Sequence, residues 1–468
     1  MRLSAALLTL FLFTPAASAS DPLRVGFAEV DITPELGNKP VYLAGFGQNR
    51  KATKVHDPIT ARAVFLGDAD SRAMVALVSV DVVGLFLPTV ERVREKLPGF
   101  TYVLVSATHN HEGPDTLGLW GPSPFQSGVD PDYLKRVEDG CVEAVKKAEK
   151  AAAPVGELSV GKASDPDLIN DTRLPVVKHD ELVTLRFVGP APARKLLGLV
   201  VQWNCHPEVL DSKNTEITAD FVYYTVKHLK AKYDCPVVYF TGTVGGLMTT
   251  IRLPVKAEDG RDLKDGTFEK SERYGALVGK LAERAVASQE VVAALPLRAA
   301  SRQFLVPIDN NLYRLGWQFG TLQRPLYAWD GNPTPKEFRP VTDISKPVAA
   351  RTEVGYLRLG DVEVAVIPGE IYPELVLGKV QDPPDPGADF PDAPIEPAVY
   401  AQMRGKHRML IGLGNDELGY IIPKRQWDLQ PPFCYGLKKA QYGETNSVGP
   451  EAAPVICGQF RELVARRE

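Results

Sequence analysis

Apolar and polar residues alternate along this chain in two rhythms. Ala73 to Val83 (AMVALVSVDVV) is a nearly continuous apolar run, the mark of a strand buried on both faces. Tyr102 to Ser106 repeats the pattern. Residues 24–31 and 60–67, Leu197 to Trp203, Val237 to Thr241 and Val362 to Ile367 also read as strands. Apolar residues at helical spacing predict helices over Leu87 to Leu97, over the Lys- and Glu-rich stretch Pro131 to Ala152, and over Ser271 to Gln289. Strands alternating with helices predict an α/β fold, with a mixed, largely buried sheet flanked by helices. Asn310 to Arg351 is rich in aromatics, Pro and Gly, and Gln381 to Pro397 in Pro and Asp. Both read as loops or insertions within one domain, because candidate site residues lie on either side of them.

The first residues follow another pattern. Met1-Arg2 gives a positive start, Leu7 to Phe13 is apolar, and Ala17-Ser18-Ala19 is a small-residue cleavage pattern. Together they predict a secretory signal peptide over residues 1–19, a mature domain over 20–468, and export to the periplasm or the medium. A buried first helix is the alternative, and the run is too short for a permanent membrane anchor. The composition, 44% hydrophobic and 24% charged, is that of a soluble globular protein. A net charge of −4 leaves no basic surface for neutralising phosphates, which argues against a nucleic-acid partner. Five cysteines leave at least one unpaired within the chain. None has metal-type spacing, and Cys434 with Cys457 is a candidate pair.

Candidate chemistry gathers just beyond the strands. His109 and His111 fall in Thr108-His-Asn-His-Glu-Gly-Pro-Asp115, after the strand ending near Ser106. His206 follows the strand ending at Trp203, and Glu370 follows Val362 to Ile367. In α/β sheets the carboxyl edge of the strands is where ligands bind. Imidazole and carboxylate are the usual ligands of a catalytic zinc, which keeps one position open for water. A lone His after a strand is more often a hydrogen-bonded structural residue; His-x-His is sharper, because residues i and i+2 of an extended segment point the same way. From the residues alone the reading stops at a metal hydrolase. His56, beside Asp57-Pro58, reads as structural, and His179, His228 and His407 as surface or helix residues. Cys205 reads as a small buried residue, with a soft ligand beside His206 as the alternative.

A family resemblance extends this. Thr108-His-Asn-His-Glu-Gly-Pro114 resembles the Ala-Thr-His-Thr-His-Ser-Gly-Pro segment of the neutral, non-lysosomal ceramidases. Asn170-Asp171-Thr172-Arg173 is similar to that family's Asn-Arg-Ser-Pro segment, Asn204-Cys205-His206-Pro207 to its Ile-His-Pro, and Ile367-Pro368-Gly369-Glu370 to its Pro-Gly-Glu. Gly412 to Ile421 resembles its Gly-Leu-x-Asn…Tyr-Ile, and Tyr442 to Pro450 its Tyr-Glu…Gly-Pro, all in the same order.

The resemblance implies a zinc-dependent hydrolase of N-acyl amides, with a ceramide-like lipid amide as leading substrate and transient contact with a membrane surface. It implies that His109, His206, Glu370 and Tyr420 hold the zinc. His111 then lies beside the metal-bound water or the substrate, Arg173 binds the substrate or the leaving carboxylate, and Tyr442 polarises the scissile carbonyl. The alternatives are a surface pair of Arg173 with Asp171 or Glu181, and Tyr442 as a loop anchor. A nearby His or Glu112 is the candidate donor to the leaving amine. Asp81 and Asp220 are candidates to orient the imidazoles, or else strand-end and cap residues. Leu117, Leu119, Trp120, Trp317 and Phe319 are candidates for an acyl pocket, or else core.

The chain also departs from the family. Where ceramidases carry Gly-Asp-Val-Ser-Pro-Asn, it has Gly245-Gly246-Leu247-Met248-Thr249-Thr250, so Gly246 stands for the Asp and Met248 for the Ser. A thioether cannot donate a hydrogen bond; Thr249 is a candidate replacement. Glu112 stands for the family's Ser, and residues 20–468 are expected to form the catalytic domain alone, without the family's C-terminal β-sandwich. These departures keep open a hydrolase of another amide or ester (a peptide, an acylated sugar) and a non-catalytic binding protein on the same fold.

Overall fold

The computed structural model describes residues 22–37 and 39–466. The expected signal peptide lies outside them. Strands β1 (Arg24–Asp31), β2 (Thr60–Asp68), β3 (Ala73–Val80) and β4 (Tyr102–Ala107) form the first sheet, in the order β4-β3-β2-β1 with a short strand at Ala153–Pro154 beyond β1. Helix α1 (Leu87–Glu95) connects β3 to β4, and α2 (Pro131–Lys150) packs on the sheet. Pro131 at the first helical position and the Asp130 side chain accepting from Asp132 N start α2. Its Val137, Cys141, Ala144, Val145 and Ala148 repeat at helical spacing and are buried against the sheet.

The second sheet repeats the plan. Strands β5 (Glu157–Ser164), β6 (Glu181–Val188), β7 (Leu196–Trp203) and β8 (Val237–Thr241) run in the order β8-β7-β6-β5. Helix α3 (Asp220–Tyr233) joins β7 to β8, and α4 (Phe268–Ala287) lies beside α3. In the third sheet, β9 (Leu297–Pro307) is followed by helix α5 (Asn311–Gln318), then by β10 (Val348–Leu359), β11 (Val362–Val366) and β12 (His407–Ile411). β10 pairs with β9 and β11, and β11 with β12. Helix α6 (Ala452–Ala465) packs on β9 and β10.

Each of these three large sheets is antiparallel except for one parallel pair at its edge: β3 with β4, β7 with β8, and β11 with β12. A parallel pair needs a long crossover, which α1 and α3 supply in the first two sheets. The expected fold class holds, as three mixed sheets rather than one. They share a core: Phe27, Leu77 and Leu104 of the first, Val183, Val200 and Phe240 of the second, and Leu357, Val364 and Ile411 of the third belong to one buried cluster. Each such aliphatic or aromatic side chain, fully buried, contributes about 1.5–3 kcal/mol.

Several expectations need correction. Only the cap reading of Asp220 points to α3; its extent was not predicted, because its buried face (Phe221, Val222, Tyr224, Thr225, Val226) is β-branched and aromatic rather than cleanly amphipathic. Asn310 to Arg351 holds α5, short strands at Leu326–Ala328 and Pro340–Val341, and the start of β10. His179 and His407 are buried, not on the surface. All five cysteines are free and buried, Cys434 and Cys457 included. Among the described residues no helix is long and apolar enough to cross a membrane.

Candidate active site

The parallel strands bring the candidate residues together. The chain leaving β4 is pinned by its backbone: Thr108 N donates to Val80 O and Asn110 N to Val82 O. The rings of His109 and His111 meet with their centroids 4.9 Å apart. The loop leaving β7 brings the His206 ring to 4.8 Å from His109 and 5.6 Å from His111. One ring nitrogen of each lies within 4.8 Å of the others.

Glu370 completes the group. Its Oε2 is 3.0 Å from His206 Nε2 and 3.3 Å from His109 Nε2. It lies in a two-residue parallel ladder just past β11, where its register partner is Tyr420. Register alone thus sets two of the implied ligands side by side. The Tyr420 ring is buried, 6.5 Å from His206 and 5.8 Å from Tyr442.

Backbone acceptors orient two of the imidazoles. His109 Nδ1 is 2.7 Å from Val83 O, and His206 Nδ1 is 2.9 Å from Met248 O. A carbonyl oxygen can only accept, so both rings carry their proton on Nδ1 and turn Nε2 toward Glu370. His109 has φ +68°, a left-handed conformation unusual for a residue with a side chain. Such geometry is retained where the surroundings over-determine it, commonly at functional sites.

Electrostatics follow from burial and pairing. Burial pushes the Glu370 carboxyl up, but His109 and then His206 outweigh it and hold it well below the usual carboxylate range. Burial lowers His109, and Glu370 more than restores it, so its net shift is upward. Burial pulls His111 down to about 4, leaving a neutral imidazole at neutral pH. Burial pushes the Tyr420 phenol well up, and that of Tyr442 up to about 12.

Arg173 and Tyr442 are brought to the same region. Asn170–Asp171 pairs antiparallel with Met248–Thr249, beside His206. Arg173 is buried, and Glu444 takes both of its terminal nitrogens at 2.6 and 2.9 Å. The same guanidinium donates to Tyr442 O at 2.9 Å and Gln426 O at 3.0 Å. It pairs with neither Asp171, which accepts the backbone N–H groups of Arg173 and Val177, nor Glu181, which pairs with Lys162. Tyr442, 53% exposed, stands at the rim.

Other expectations fall differently. Glu112 is fully buried but turned to Arg50 Nη1 at 2.9 Å and Asn214 Nδ2 at 2.7 Å rather than to an imidazole. Asp81 binds Arg62 and Thr60, and Asp220 binds Leu210 N, Phe221 N and Ser271 Oγ; neither contacts an imidazole. The Met248 side chain is buried in the core beneath the second sheet, while its carbonyl serves His206. Leu117 is core, with Leu119 and Trp120 packed against the same cluster, and Trp317 packs on another. Phe319 is exposed and meets Phe125 edge-on at 5.0 Å. A cavity of about 730 Å³ lies among Arg298, Tyr356 and Arg461, and no histidine lines it.

Two residues of this site escaped the sequence. Glu208 is buried with Oε2 3.3 Å from His111 Nδ1, and Thr249 Oγ1 donates to its Oε1. Arg50 donates to Ala44 O and His111 O as well as to Glu112. Glu208 carries a signal, an acid two residues after a site His; Arg50 carries none.

No family model and no curated protein matches the chain. Solved structures do. A neutral ceramidase from Pseudomonas aeruginosa aligns over 95% of this chain and 74% of its own, at TM-score 0.69 and 18% identity. A ceramidase complexed with C2 aligns over 95% and 75%, at TM-score 0.69 and 17% identity. The chain therefore has the fold of the neutral ceramidases, as the resemblance implied.

Proposed function

We propose that the protein is an exported, zinc-dependent amidase cleaving N-acyl amides, with a ceramide-like lipid amide as substrate. The observation that carries this reading is the Glu370 carboxylate flanked by His109 Nε2 and His206 Nε2, with both Nδ1 atoms tied to backbone carbonyls. This donor chemistry fits zinc, and second acceptors on the far ring nitrogens are what metal-bound histidines usually have. Tyr420 joins the set through its register with Glu370. When bound, zinc supplies an activated water and a Lewis acid for the carbonyl.

The chain supplies the rest. His111, neutral at neutral pH, handles the proton passing to the leaving amine. Tyr442, with a phenol that keeps its proton, donates to the oxygen of the scissile carbonyl. Arg173 holds the Tyr442 segment through its carbonyl. Tyr442 at the rim, and the Phe125–Phe319 pair, are where an amphiphilic substrate or a membrane surface meets the protein.

The test is metal analysis of the purified protein, with an assay on a fluorescent N-acyl sphingosine with and without chelator. Zinc near one per chain and chelator-sensitive release of fatty acid are expected. Zinc without cleavage points to another amide or ester, and neither metal nor activity, even after zinc reconstitution, rejects the reading.

A further inference from the structure

Of the three clustered imidazoles, His111 alone has no backbone acceptor on its Nδ1. Facing it at 3.3 Å is Glu208 Oε2, in ion-pair range though not aligned as a hydrogen bond. Catalytic contacts of this kind are commonly loose before substrate binds. Both side chains are buried. Glu208 is held from its other end, where Oε1 accepts the Thr249 hydroxyl, and Thr249 Oγ1 in turn accepts Ile251 N at 3.0 Å. His111 is held as well: its N–H donates to Pro207 O at 3.1 Å, and Phe46 packs edge-on to its ring at 5.1 Å. Met248, which stands where the family has a Ser, turns its side chain into the core, and the hydroxyl of the next residue, Thr249, reaches the site through Glu208.

We propose that Glu208 is the positioning residue of His111: its carboxylate keeps the ring proton on Nδ1, so that the Nε2 lone pair faces the reacting amide. A carboxylate that fixes the tautomer and orientation of a histidine is a recurrent device for proton transfer. The second half of this inference rests on the amidase reading. There, water oxygen bonds to the carbonyl carbon, one water proton passes to His111 Nε2, and that proton moves to the amine nitrogen as the C–N bond breaks. Atoms and charge balance without a further reactant.

Long-range 1H–15N correlation on the full chain labelled at histidine nitrogens tests the first half, with His111 assigned from H111Q. The wild type is expected in the Nδ1–H form. E208A should redistribute it toward Nε2–H, while E208Q, whose amide oxygen still accepts, should keep more of the Nδ1–H form and guards against a folding defect in E208A. A wild-type His111 in the Nε2–H form, or a tautomer unchanged by E208A, overturns the proposal. This readout needs no substrate, so it stands even if the amidase reading fails. With an active preparation, E208A should lower kcat roughly 10–100-fold at nearly constant KM and unchanged metal content. In an H111A background it should cost nothing further. Additive losses, or loss of the metal in E208A, overturn the proposal.

Discussion

The loops leaving β4 and β7 both carry a site histidine followed closely by an acid, yet the acids do opposite things. After β4, Glu112 is turned away from His111 into an ion pair with Arg50, whose guanidinium also braces the His111 carbonyl. After β7, Glu208 lies beyond Pro207 and faces the His111 ring of the other loop. One acid anchors a loop and the other serves the site. His111 and Glu112 lie in a turn, where Arg50 and Asn214 draw the Glu112 carboxylate away from the imidazole beside it. A carboxylate reaches an imidazole more readily from a separate loop.

This comparison can be broken in order of expected effect. H206A should abolish both bound metal and any metal-dependent activity, read by elemental analysis and turnover, because it removes one of the donors around Glu370. R50A should come next. It removes the ion-pair partner of a buried carboxyl that burial already pushes well above the usual carboxylate range, a loss of about 3–5 kcal/mol in denaturant melts. E112Q in the same background should recover part of that loss; no recovery would show that Arg50 acts through the carbonyls of Ala44 and His111 instead.

G45A should also destabilise the β4 loop. Gly45 has φ +94°, and a Cβ there would lie 2.3 Å from the His111 ring. The expected outcome is a lower Tm together with a weaker kcat, since the ring itself is displaced.

E374Q is a smaller, pH-dependent control outside both loops. Burial raises the Glu374 carboxyl to about 7 from an ordinary 4.5, so the folded state binds its proton more tightly than the unfolded chain. Its contribution to stability is complete below 4.5 and lost as pH rises through about 7. E374Q should therefore melt higher than wild type at pH 8.5 and the difference should shrink at pH 5.5. Least of all, M248L should shift stability by less than about 1.5 kcal/mol and leave kcat unchanged, because only the carbonyl of Met248 faces His206.

The fold was legible where strands are buried on both faces. Residues 73–80 and 102–107 announce themselves as apolar runs, and their ends agree with the structure to within a few residues. β9 (Leu297–Pro307) was not visible, because its buried and solvent-facing positions mix Arg, Ser and Gln with small apolar residues. At the site, His109, His206 and Glu370 were legible because each follows a strand, and the structure gathers them. The orienting acceptors were not. Val83 O and Met248 O are backbone atoms that any residue would supply, and their place depends on which strands become neighbours.

The parallel edge pairs have one more consequence. His109 follows the parallel edge pair of the first sheet, His206 that of the second, and Glu370 with Tyr420 the pair of the third, in a short ladder of their own. During synthesis these residues emerge in that order, and no stretch shorter than 109–420 contains them all. The centre is therefore a gauge of assembly rather than a local motif. If the third sheet swings away from the other two while every strand stays paired, the backbone spectrum will hardly change, but the donor set will already have come apart.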